Sequence, residues 1–161
     1  MKIILPIMIA MLFSCTAYSA EVPAGKQYQT QFNKLKKAAG SKVNHAKLYI
    51  DTSDMNKDVI AYQGTGRIVF TQGEILFNIR HLDQTAHIMA HELGHISNPC
   101  RGSSKSCERQ ADLYAVRLMK KAGLNHCAGG QYWKRMLSIY GNQSGPSHPS
   151  FRTRYNYLRC K

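Results

Sequence analysis

The pentapeptide His91-Glu92-Leu93-Gly94-His95 constrains this chain more than any other feature. On a helix of 3.6 residues per turn, positions four apart face the same way, so two imidazoles converge on one point with a carboxylate between them. The surrounding residues read as an amphipathic helix: Ala86, Met89, Ala90, Leu93 and Ile96 recur at helical spacing, and Asp83 suits its N-cap. A chain built this way must bury that helix. It must also bring a third donor from elsewhere, because a catalytic zinc takes three protein ligands and leaves a fourth position for water.

Glu108 is the best-placed third donor. It opens Glu108-Arg109-Gln110-Ala111-Asp112 in a second amphipathic segment from about Ser106 to Ala122, with Ala111, Leu113, Tyr114, Val116, Leu118 and Met119 as apolar positions and Gly123 as the stop. Glu108 and Asp112 share a face at i, i+4, so a second helix packed on the first brings both to the metal. Glu108 is read as a ligand and Asp112 as the group that orients a ligand imidazole. His87 extends the ladder to i, i+4, i+8, but two turns rise about 12 Å, too far for three donors about 2 Å from one ion. It is read as a solvated histidine or one behind the ligands, and His45, His81 and His126 as solvated.

The same residues carry a family resemblance. The stretch Ala61–Ile96, with Gly66-Arg67-Ile68-Val69-Phe70-Thr71-Gln72-Gly73 ahead of Ala86-His87-Ile88-Met89-Ala90-His91-Glu92-Leu93-Gly94-His95, resembles the CAAX prenyl protease type 1 and HtpX-like zinc metallopeptidases. Glu108-Arg109-Gln110-Ala111-Asp112 is similar to that family's Glu-x-x-Ala-Asp element, and His148-Pro149-Ser150-Phe151-Arg152-Thr153-Arg154 to its His-Pro segment followed by an arginine. The resemblance covers most of residues 60 to 158. It implies a zincin-like domain in which His91, His95 and Glu108 hold one Zn2+ ion, Glu92 is the general base, Asp112 supports a ligand, and His148 and Arg154 lie beside the cleft, either of them a donor to the oxyanion. Two departures stand out. Integral-membrane members carry long transmembrane segments that this sequence lacks, and Tyr155 follows Arg154 where an aliphatic residue is usual.

The expected chemistry is hydrolysis of peptide bonds without a covalent intermediate, with Glu92 taking a proton from water and passing it to the leaving amine. Substrate would be an extended or poorly folded protein segment, and the strand Arg67–Thr71 is expected to offer a free edge for it. The alternative is a metal-holding, peptide-binding or chaperone-like module on the same fold with little catalysis; an intact Glu92 argues against it. A cell-wall peptide crosslink is a third substrate class that nothing in the motifs requires.

Met1-Lys2, an apolar run Ile3–Phe13 and small or polar residues to Ala20 have the layout of a secretory signal peptide over residues 1–20, with residues 21–161 as the mature domain. Eleven apolar residues are too few to span a bilayer, where about 20 are needed. Lipoprotein processing at Cys15 is the rival reading, with bulky Phe13 against it. An exported chain then keeps four cysteines, an even number that fits two disulfides. Cys100 with Cys107, which flank a short loop between the two metal-bearing helices, is the most economical pairing and leaves Cys127 with Cys160; no Cys-x-x-Cys spacing supports a cysteine metal site.

A mature chain of about 140 residues fits one domain with one core. Tyr28, Phe32, Leu35 and Ala39 mark a first helix; Ala46, Leu48 and Ile50 alternate as a strand; Val59–Tyr62 and Arg67–Thr71 suggest two more. Further helices are read around Gln131–Tyr140 and from about Pro149 to Leu158, giving an α+β domain with a small β-sheet beside a mostly helical body. The net charge of +13 comes from 22 Lys and Arg against 9 Asp and Glu. It favours acidic partners, whether substrate proteins or an anionic membrane surface, and no motif points to nucleic acid.

Overall fold

The computed structural model describes residues 21–100 and 104–160. The leader read over residues 1–20, with Lys2 and Cys15, lies outside them. Among the described residues the chain is α+β, with six α-helices and a small four-stranded mixed sheet.

The sheet holds β1 (Glu21–Pro23), β2 (Lys47–Asp51), β3 (Val59–Tyr62) and β4 (Arg67–Thr71) in the order β1-β2-β4-β3. β2 and β4 run parallel with Leu48 opposite Ile68 and Ile50 opposite Phe70, while β3 closes the other side of β4 antiparallel, Val59 opposite Phe70. β4 is therefore central. Its residues Ile68 to Thr71 are buried, as a strand covered on both faces should be. The expected free edge on Arg67–Thr71 is corrected by this order: both flanks of β4 are already paired, and the edge strands are β1 and β3.

α1 (Lys26–Ala39) lays Tyr28, Phe32 and Leu35 into the core at i, i+4, i+7. A 3-10 turn at Ser41–Val43 leads into β2, and a short α2 (Gln72–Phe77) follows β4 directly. Thr71 caps α2 through its hydroxyl, which accepts the backbone N–H of Glu74. Gly73 permits the tight junction, because a Cβ there would sit 2.0 Å from the Met55 carbonyl oxygen.

α3 (Leu82–Ser97) crosses the middle of the molecule and is buried on most sides. Its cap is His81 rather than Asp83, which lies within the first turn and accepts from the Asn125 amide instead. α4 (Lys105–Lys121) begins at Ser104, whose hydroxyl accepts from Cys107 N–H, and its chain turns away at Gly123 with φ 67°. Ala86, Met89, Ala90 and Leu93 of α3 meet Ala115, Leu118 and Met119 of α4 and the apolar faces of α1 and the sheet in one core. α5 (Ala128–Tyr140) and α6 (Phe151–Leu158) pair with each other around Tyr132, Trp133 and Leu158 in a smaller cluster against the far side of α3.

Both cysteine pairs sit at disulfide distance: Cys100 with Cys107, Cα atoms 6.1 Å apart, and Cys127 with Cys160, 5.4 Å apart. The first ties the end of α3 to the start of α4. The second ties the start of α5 to the end of α6. Such bonds belong to an oxidising environment. No helix among the described residues is long and apolar enough to cross a membrane.

Candidate metal centre

Two helices build the centre because they come unusually close. A Cβ on Gly94 would lie 3.1 Å from the Ala111 backbone, so glycine at this position of α3 lets α4 press against it. That contact sets Glu108, one turn before Ala111's neighbour Asp112, opposite His91 and His95. The Glu108 carboxylate lies 3.3 Å from His91 Nε2 and 3.4 Å from His95 Nε2, and donor atoms of the three residues all fall within 4.8 Å of one another.

Asp112 fixes the ring of His91. It is wholly shielded from solvent and accepts from His91 Nδ1 at 2.9 Å, from Arg154 Nε at 2.8 Å, from Arg154 Nη2 and from the Tyr157 hydroxyl at 2.6 Å. A proton held at Nδ1 by a carboxylate leaves the Nε2 lone pair of His91 facing His95 and Glu108. The two Nε2 atoms are 3.0 Å apart, and Glu108 Oε2 is buried with no hydrogen-bond partner although His91 is near, since proximity there comes without alignment. Imidazole lone pairs and an orphaned carboxylate oxygen aimed at one point form a donor set that a divalent cation completes.

Without an ion, the buried groups hold one another charged. Burial would raise the Glu108 carboxyl, but His91 and His95 hold it well below the usual carboxylate range. Asp112 is likewise kept low despite its burial, by Arg154 first and then by His91. Burial pushes the His91 imidazole down, yet Asp112 and Glu108 outweigh it and raise the group to about 9. Glu92 moves the other way: buried beside the ligands, its carboxyl is pushed up by desolvation, with His91 and His95 opposing.

A cleft of about 420 Å³ opens from these residues, lined by His91, Glu92, His95, Glu108 and His148 on one side and by the β3 segment Val59, Ile60, Ala61 on the other. A narrower pocket continues inward past Ile88, Glu74, Tyr132 and Trp133. His148 stands at the mouth, half exposed, with Nε2 3.4 Å from Glu108 Oε2.

Arg154 lines the pocket but is 5% exposed, bound to Asp112, with its guanidinium carbon 3.8 Å from the Trp133 ring centre. Its Nε and Nη2 donate to Asp112, and its Nη1 lies 3.8 Å from Glu108 Oε2. Of the two residues expected to donate beside the cleft, His148 is therefore the one in the open, and Arg154 braces the ligand support.

Of the two places expected for His87, solvent is excluded: it is 2% exposed, and neither ring nitrogen has a hydrogen-bond partner. Its ring packs flat on the start of α5, where a Cβ at Gly129 would lie 2.4 Å from it. Burial lowers it to about 4, so it stays neutral. Three site neighbours, Glu74, Trp133 and Tyr157, were missed in the sequence. Thr71-x-x-Glu74 carries the capping-box pattern that would have revealed α2, and Arg154 and Tyr157 stand at i, i+3 on α6. Trp133 gave no local signal.

Searches against protein-family models, curated proteins and solved structures return no match to this chain.

Proposed function

We propose that this protein is an exported, zinc-dependent endopeptidase with a zincin-like domain, hydrolysing peptide bonds in extended or poorly folded protein segments. One observation carries the reading: Glu108, from a separate helix, meets both imidazoles of His91 and His95 while Glu92 lines the same cleft. His91, His95 and Glu108 would hold the ion, a nitrogen and oxygen set suited to zinc. Zinc, when bound, supplies Lewis acidity toward water and toward the scissile carbonyl.

The rest falls to the chain's own side chains. Glu92 accepts a proton from the attacking water and delivers it to the leaving amine. His148, at the mouth, donates to the oxygen that gains charge as the carbonyl is attacked. Asp112, Arg154 and Tyr157 keep His91 from rotating. β3 contributes an open backbone edge along the cleft, against which an extended peptide could add as a further strand.

The test is degradation of reduced, unstructured casein by the exported protein. Glu92→Gln is expected to lower the rate by about 10²- to 10⁴-fold while leaving zinc content unchanged, and a chelator should abolish cleavage until zinc is restored. Activity in the Glu92→Gln protein equal to the parent's would remove the proposal. Tight zinc binding without cleavage in the parent would favour the peptide-binding module instead.

A further inference from the structure

Read along the sequence, the positive charges look scattered; folded, they separate from the negative ones. From Gln84 to Cys160 the described acids are Glu92, Glu108 and Asp112, and all three are buried in the metal centre. On α4 that division runs along the helix axis. Glu108 and Asp112 face inward, while Lys105, Arg109, Arg117, Lys120 and Lys121 are exposed on the outer side. Lys105, Arg109, Arg117 and Lys121 are separated by multiples of four residues, so they form a row about 24 Å long that winds about 160° around the helix. Arg109 lies over the Tyr157 ring, and among the described residues none of the five forms an ion pair. Lys134, Arg152 and Arg159 add exposed cations on α5 and α6 with no exposed acid near them in sequence.

We propose that the outer face of α4 is a docking surface for the anionic lipid headgroups of a bilayer. Charge complementarity points to an anion, and shape selects which kind. The face is the convex side of one helix rather than a groove that tracks a strand, and the aromatic Tyr114 of α4 is partly buried in the core rather than displayed between the cations for base stacking. Apart from the partly buried Leu113 it presents no large apolar side chain for insertion, so contact stays at headgroup depth, is additive over the cations and is screened by salt. Arg117, Lys120 and Lys121, on the later turns, lie away from the side of α4 that supplies Glu108, so docking there does not engage the metal ligands.

The experiment is cosedimentation of the exported, processed protein with vesicles of phosphatidylcholine alone or mixed with phosphatidylglycerol, at low and high salt. Two charge-matched variants are compared: K105Q/R117Q/K120Q/K121Q on α4, and K26Q/K42Q/K47Q/R80Q, exposed cations elsewhere. Both are checked for cooperative melting and zinc content, neither of which either set should change. The parent is expected to bind the anionic vesicles and not the neutral ones, with binding lost at high salt. The α4 variant should bind more than about tenfold more weakly than the control variant. Failure of the parent to bind anionic vesicles overturns the proposal. So does equal weakening in both variants, which would make net charge rather than α4 responsible, or tighter binding to duplex DNA than to the vesicles at the same salt.

Discussion

Asp112 accepts four hydrogen bonds in a place water does not reach, so its charge is balanced by Arg154 and the ring of His91 rather than by solvent. Removing that charge strands a buried guanidinium. Asp112→Asn is expected to cost about 3–5 kcal/mol in denaturant unfolding, and to weaken zinc about 10- to 100-fold because His91 loses its fixed tautomer; unchanged zinc affinity would separate Asp112 from the metal. His87 invites the opposite substitution. Its ring nitrogens are buried without partners, and its pKa falls from 6.5 to about 4 because burial disfavours the charged form. The unfolded chain therefore takes up a proton that the folded one refuses, and stability drains away as pH falls from 6.5 toward 4. By pH 5 that linkage amounts to about 2 kcal/mol. His87→Leu should match or exceed the parent's stability at pH 7 and lose less on acidification, a difference that paired urea titrations at the two pH values would read.

The meeting of α3 and α4 decides whether two histidines become a metal site. Gly94 is a point of close approach, where a Cβ would lie 3.1 Å from the Ala111 backbone, and a branched side chain there must push Ala111 and with it Glu108 away. Gly94→Val is expected to weaken zinc more than about tenfold, with helix content by circular dichroism nearly unchanged; an unaltered affinity would mean that Glu108 does not need the close approach. The Cys100–Cys107 bond holds the same two helices across their short loop, and replacing both with serine should lower stability by about 2.5 kcal/mol on loop-entropy grounds, read as a shifted melting temperature. Elements with strong local periodicity were legible in advance: β3 and β4 have the bounds their alternation and apolar run imply, α4 stands within about a residue of its reading, and α3 starts two residues before the helix that an Asp83 cap implies. What depends on distant partners was not. β1 is three residues with no periodicity, and the central place of β4 follows from parallel pairing with β2, which no local pattern encodes. The burial of His87 required knowing that Gly129 would lie against it, and the pocket wall from Tyr132 and Trp133 depended on how α5 crosses α3.

On the scale of the whole molecule, the centre is where the fold concentrates its unfavourable terms. Glu92, Glu108, Asp112, His91 and Arg154 are all buried at the junction of α3, α4 and α6, and Glu108 Oε2 is left without a hydrogen-bond partner. Desolvated groups of this kind weaken the metal-free fold, and an ion that satisfies them can bind the folded chain but finds no assembled set in the unfolded one. If the centre holds zinc as proposed, ion binding and global stability are one equilibrium. At free zinc a thousandfold above its dissociation constant, stabilisation should reach about 4 kcal/mol, a rise in melting temperature on the order of 10 °C for a domain of this size. The set of variants gives the result its meaning. Glu92→Gln keeps all three ligands and should show the full rise. Glu108→Gln, which removes the ligand supplied by α4, should lose most of it, while a serine in place of both Cys127 and Cys160 should lower the melting temperature with and without zinc by the same amount. A calorimetric rise that survives Glu108→Gln would place the stabilising ion elsewhere and separate the histidine pair from the stability of the fold.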